Sequence, residues 1–141
     1  MIRQLIVNAD DFGFTRDVNA GILHSHTHGI LSATTLMANG DAFDDAVSLS
    51  RETPTLDIGC HLVLIQGASL ATGEALPVNW KALLKALATG KLDIEAELRA
   101  QIQKIVAAGI QPTHLDTHKH SHVHPAVFKA VLRLAREFEI P

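Results

Sequence analysis

Apolar and polar positions along this chain alternate between short runs with strand character and longer stretches with helical spacing. Residues 3–8 form a brief run rich in branched apolar side chains, halted by Asp10, Asp11 and Gly13, which suits a buried parallel strand. Thr15 is placed to cap a helix over residues 16–28, with Val18, Ile22 and Leu23 on its apolar face and Gly29 as its stop. A second strand is expected over residues 31–37, followed by the turn signal Asn39-Gly40. Phe43, Ala46, Val47 and Leu49 then recur at helical spacing within residues 41–51, and Pro54 closes that helix. Residues 56–65 read as a third strand, with the polar His61 inside an otherwise apolar run.

Residues 66–77 are Gly- and Ala-rich with no clear period, so they read as a long loop of the functional kind. Helical spacing returns over residues 79–88 and 94–108, the second through Ile94, Leu98, Ile102 and Ile105, and Gly109 ends the pair. A fourth strand is expected over residues 112–118 and a last helix over 125–138, with Pro125 in its first turn. The order β-α-β-α-β-(α-α)-β-α predicts an α/β domain over residues 1–141 with a parallel sheet covered by helices. In such sheets chemistry gathers at the carboxyl ends of the strands. Asp10, Asp11, His61 and His118 all fall at or near such ends.

Composition changes this picture only by exclusion. The chain has 141 residues, 47% hydrophobic and 19% charged, with a net charge of −3. That balance and the absence of a Lys/Arg-rich run argue against a nucleic-acid partner. The first apolar run is too short for a signal-peptide core and no other run approaches a membrane span, so a cytoplasmic protein is expected. Cys60 is the sole cysteine, which excludes an internal disulfide and a thiolate zinc cluster. Any metal must be held by His, Asp, Glu and water.

Nine histidines occur in the chain, and five of them, His114, His118, His120, His122 and His124, share residues 113–125 with Asp116. Imidazole and carboxylate ligate divalent metals and transfer protons near neutral pH. As a continued strand the tract would place these histidines on one face by the period of two. As a helix it would pair His118 with His122 and His120 with His124 at i, i+4. Asp10-Asp11 fits a division of labour, one carboxylate on a cation and the other accepting a proton, but it also suits a turn cap. His61 fits a ligand and also a hydrogen-bonded core histidine. Phe12, Phe14 and Trp80 are candidates for a substrate groove, although single aromatics commonly just pack.

Three motifs in order, Asn8-Ala9-Asp10-Asp11-Phe12-Gly13, His61-Leu62-Val63-Leu64 and the tract from His114 to His122, resemble the YdjC-like carbohydrate deacetylases, which include the chitooligosaccharide deacetylases. The resemblance covers essentially the whole chain. It implies a (β/α) barrel related to the polysaccharide deacetylases, a divalent metal (magnesium foremost, or zinc), and hydrolysis of an N-acetyl group from an amino sugar. Carried over residue by residue, it implies Asp11, His61 and His118 as metal ligands and Asp10 as general base. His120 and His122 match the remaining motif histidines, for which proton-donor or ligand-orienting roles are expected. Gln66-Gly67 and the His-Lys-His-x-His-x-His-Pro form resemble the hopanoid-associated branch, which implies a glycosylated lipid headgroup. Members of the family are longer, and a complete barrel needs roughly 200 residues or more. The chain therefore resembles the N-terminal half of such a barrel, and self-association, as in a dimer, is expected of it.

The mechanism expected from the resemblance is metal-assisted amide hydrolysis, with an N-acetylated sugar as partner. A metal-dependent phosphoesterase on a similar barrel and a non-catalytic metal- or sugar-binding fragment are the rival readings. A two-metal phosphoesterase would want further ligands at later strand ends.

Overall fold

The computed structural model describes residues 5–141. Four parallel strands stand in the order β1-β2-β3-β4, comprising Asn8–Phe12, Ala33–Leu36, Asp57–Leu62 and Leu115–Thr117. Helices α1 (Arg16–His28) and α2 (Phe43–Glu52) fill the first two crossovers. The third crossover holds α3 (Trp80–Ala88) and α4 (Ile94–Ala107), and α5 (Pro125–Glu137) follows β4. Sequential right-handed crossovers place their helices on one face of the sheet. This face is the apolar one: Phe12, Leu36, Cys60 and Leu62 of the strands are fully buried with Leu98, Ile102, Ile105 and Leu134 of the helices. The architecture is that of a partial (β/α) barrel.

Local chemistry explains the helix limits. Thr15 Oγ1 accepts from the Val18 amide to begin α1, Asn79 caps α3 through the Ala82 amide, and Asp93 caps α4 through the Ala96 amide. Pro125 occupies the first turn of α5, where its missing N–H costs nothing, and His124 Nδ1 accepts from the Ala126 amide as the cap.

The first strand departs from expectation. It covers Asn8–Phe12 rather than residues 3–8, of which 3 and 4 lie outside the described residues, and Leu5 and Ile6 are 80% and 75% exposed. Along β1, Ala9 and Phe12 pack towards the helices, whereas Asn8 and Asp10 are exposed. The strand is therefore half polar, and the apolar pattern ends where the strand begins. Its register with β2 breaks between Ala9 and Phe12, and Asp11 adopts φ 67° within the break. The other three strands are shorter than their apolar runs. Val63, Leu64 and Ile65 continue beyond β3 as fully buried chain without strand pairing.

The loop over residues 66–77 is tied down from below. Glu97 of α4 is 1% exposed, and its carboxylate accepts from Ser69 Oγ at 2.5 Å, the Leu70 and Ala71 amides at 3.1 Å each, and Gln101 Nε2 at 2.6 Å. Gln101 in turn accepts from the Val63 amide and donates to the Val63 carbonyl. A buried carboxylate is sustained by donors of this number.

Candidate metal centre

Three strand ends deliver one donor atom each to a common point. Asp11 Oδ1 lies 3.2 Å from His61 Nε2 and 3.1 Å from His118 Nδ1, and the two nitrogens are 3.2 Å apart. An ion about 2.1 Å from each of three donors sets them roughly 3.0 Å apart at octahedral angles and roughly 3.4 Å apart at tetrahedral ones. The observed triangle falls between these limits. Asp11, His61 and His118 thus form a group able to hold a divalent cation.

Backbone shape aims each ligand. The left-handed conformation of Asp11 sits in the β1 bulge, and the turn behind it is held by the buried Asn19, whose Oδ1 accepts from the Gly13 amide at 2.6 Å. His61 lies inside β3, 2% exposed. His118 follows β4 directly, where the chain leaves the sheet through a 3-10 segment, His118–Val123, with Lys119 and His120 both at φ 53°. Such left-handed residues are costly for side chains with a Cβ, and here they reverse the chain just past the ligand.

The tract therefore follows neither the period of two nor a continuous helix. His114 Nδ1 is within 2.9 Å of Thr113 Oγ1, with its ring packed against Gly59, where a Cβ would meet it at 2.7 Å. His122 Nδ1 is 2.6 Å from Thr117 Oγ1, and His120 is exposed with its ring edge-on to His122. His124 caps α5. Of the five histidines, His118 alone joins the donor triangle.

Two residues that the sequence left without a role complete the setting. Asp116 Oδ1 is 2.6 Å from His61 Nδ1, while Thr35 Oγ1 lies 3.0 Å from Asp116 Oδ2 and 3.1 Å from His61 Nδ1. A carboxylate behind a metal-binding imidazole is a recurring device for presenting its other nitrogen. Asp116 was visible as a carboxylate within the histidine tract. Thr35 carried no signal in the sequence, since a Thr in a strand is ordinary. Asp10 stands beside this group, with donor atoms of Asp10, His61 and Asp116 all within 4.8 Å of one another, and Asn8 Nδ2 donates to Asp10 Oδ1 at 3.0 Å.

Charge follows the geometry. Burial pulls the His61 pKa down, but the hydrogen bond and charge of Asp116, with Asp11 and Asp10, outweigh it and raise the pKa above the usual value. For His118 burial prevails, aided by His61 and Lys119, and the pKa is lowered despite Asp11. The centre is thus an acidic cage around one imidazole beside a second that favours its neutral, ligating form.

A cavity of about 260 Å³ opens next to His118, lined among others by Phe14, Met37, Asn39, Ile65 and Gln66. Phe14 is the one expected groove aromatic found there. Phe12 is fully buried in the core, and Trp80 packs against that core half-buried.

The chain is 44% identical over 146 aligned positions to a carbohydrate deacetylase of Brevibacillus brevis, covering 98% of this chain and 58% of that protein. It is 41% identical to a carbohydrate deacetylase of Geobacillus stearothermophilus, covering 100% and 59%. It thus spans a little under three fifths of the length of these curated relatives. Among solved structures it resembles a candidate cellobiose-phosphate cleavage protein of Enterococcus faecalis V583, with a TM-score of 0.78, 29% identity, and coverage of 96% of this chain and 56% of that one. The model of the YdjC-like protein family matches residues 4–141, and the chain belongs to that family.

Proposed function

We propose that this chain carries the metal centre and general base of a hydrolase that removes N-acetyl groups from an amino sugar or its oligosaccharide. The observation that carries the reading is the donor triangle of Asp11, His61 and His118, with sides of 3.1–3.2 Å drawn from three strands. A divalent ion held there by Asp11, His61 and His118 would supply a Lewis acid able to acidify water and polarise the acetyl carbonyl.

The chain's own groups do the rest. Asn8 holds Asp10 through Oδ1, and the Asp10 carboxylate takes the proton of the attacking water as its oxygen bonds to the acetyl carbon. Thr117 Oγ1 accepts from the His122 amide and lies 2.6 Å from His122 Nδ1, so His122 as an imidazolium would donate its Nδ1–H to that hydroxyl and carry a second proton on Nε2. That nitrogen is the proposed donor to the leaving amine as the C–N bond breaks, with exposed His120 beside it as the second candidate. Acetate and a free amino sugar result. The cavity beside His118, with Phe14 and Asn39 in its wall, is of a size for one sugar ring.

Two imidazoles and one carboxylate suit zinc, cobalt or manganese by ligand type; the magnesium that the resemblance implies prefers oxygen donors. No helix of the described residues is long and apolar enough to cross a membrane.

Acetate release from an N-acetylated chitooligosaccharide, measured with and without added metal, tests the reading. Release that depends on metal and vanishes in Asp10→Asn, with metal still bound, supports it. No release from any amide, with metal bound, refutes it for this chain.

A further inference from the structure

We propose that Thr35 is a positioning residue: its hydroxyl clamps the Asp116 carboxylate and keeps the proton of His61 on Nδ1, leaving Nε2 free to ligate a cation. The inference rests on the Asp11-His61-His118 reading above and assigns a residue that does not touch the ion.

Thr35 sits in β2, fully buried, between the strands that carry Asp11 and His61. Its hydroxyl has one proton and two neighbours, Asp116 Oδ2 at 3.0 Å and His61 Nδ1 at 3.1 Å. Asp116 Oδ1 lies 2.6 Å from the same Nδ1. A carboxylate only accepts, so the close Nδ1–Oδ1 contact requires a proton on Nδ1. Were the Thr35 proton given to Nδ1, a bare nitrogen would face a bare carboxylate oxygen at 2.6 Å, and Asp116 Oδ2 would lose its donor. The consistent arrangement has Thr35 donating to Asp116 Oδ2 while Nδ1–H is shared between Asp116 Oδ1 and Thr35 Oγ1. Every donor then has an acceptor, and the lone pair of His61 points from Nε2 into the donor triangle. The Asp116 side chain is already 29% exposed, so without the hydroxyl it is free to turn towards water, which releases His61 to either tautomer.

Thr35→Val removes the hydroxyl and keeps the β-branched shape that suits a strand; Thr35→Ser restores the hydroxyl. Long-range proton–nitrogen NMR of the metal-free 141-residue chain, at a pH high enough for His61 to be neutral, reads its tautomer, and calorimetric titration with zinc reads affinity. The parent and Thr35→Ser are expected to hold the proton on Nδ1. Thr35→Val is expected to mix tautomers and to bind zinc on the order of tenfold more weakly. An unchanged tautomer and unchanged zinc affinity in Thr35→Val overturn the proposal. If Thr35→Val fails to fold, Thr35→Ala, which also lacks the hydroxyl, decides: the same two losses support the clamp, and their absence overturns it. A parent chain that binds no zinc refutes the cation reading, while the metal-free tautomer comparison still decides the role of Thr35.

Discussion

Replacing Glu97 by Ala tests how the long loop is held over the candidate site. The carboxylate accepts four hydrogen bonds, and bonds to a charged group are each worth about 1.5–3 kcal/mol. Their sum overstates the loss. Ala71 is exposed and Leu70 half-buried, so their amides regain water once the loop lifts. Ser69 and Gln101 are buried, so a hydroxyl and one amide hydrogen stay without a partner, at about 1–3 kcal/mol each. Removing a buried carboxylate recovers part of that cost. The expected net is a destabilisation of about 3 kcal/mol, with a smaller loss for Glu97→Gln, which keeps one acceptor oxygen. Urea unfolding followed by circular dichroism measures it, and limited proteolysis within residues 66–77 reports the loop. A loss below about 0.5 kcal/mol, with the loop equally protected, would refute the reasoning.

Three further expectations follow from the same structure. Burial, reinforced by Asp116, pushes the Cys60 thiol well above the usual cysteine range. The folded thiol therefore keeps its proton while the unfolded one loses it above about pH 8.5, so stability declines as pH rises beyond that point, by up to about 1.4 kcal/mol per pH unit. Urea midpoints compared between pH 7.5 and 9.5 should show this slope in the parent and less of it in Cys60→Ala; equal slopes contradict the assignment. Gly59→Ala would set a Cβ 2.7 Å from both the ring and the carbonyl oxygen of His114, forcing β3 and β4 apart. A loss of about 1–3 kcal/mol in thermal or urea unfolding is expected, and an unperturbed variant would show that the strands yield freely. Strands β1 and β4 are the sheet edges among the described residues, and Leu5, Ile6, Val123 and Phe128 are exposed nearby in sequence. Light scattering of the chain should find association, and a monodisperse monomer that melts cooperatively would contradict it.

Much of the fold was legible because its helices obey local rules. The limits of α1 follow from Thr15 and Gly29, and α4 from its spacing of Ile94, Leu98, Ile102 and Ile105. The parallel sheet followed from element order. The strands were less legible where they carry the site, because Asn8 and Asp10 of β1 interrupt the apolar pattern by which a strand is recognised. Asp11, His61 and His118 were nameable from motifs, and the fold brings their donor atoms together. Their meeting depends on a left-handed Asp11 and on a turn at Lys119 and His120, neither of which a period can reveal. Long-range polar partners were equally hidden. Thr35 and Asp116 are 81 positions apart, and Glu97 reaches back 28 positions to Ser69.

The central claim is that Asp11, His61 and His118 hold one divalent cation. Diffraction from crystals grown with zinc, recorded on both sides of the zinc absorption edge, tests it most directly. An anomalous peak about 2.0–2.2 Å from Asp11 Oδ1, His61 Nε2 and His118 Nδ1 is the result expected. A peak held by other residues, or none at that point in zinc-soaked crystals, would contradict it.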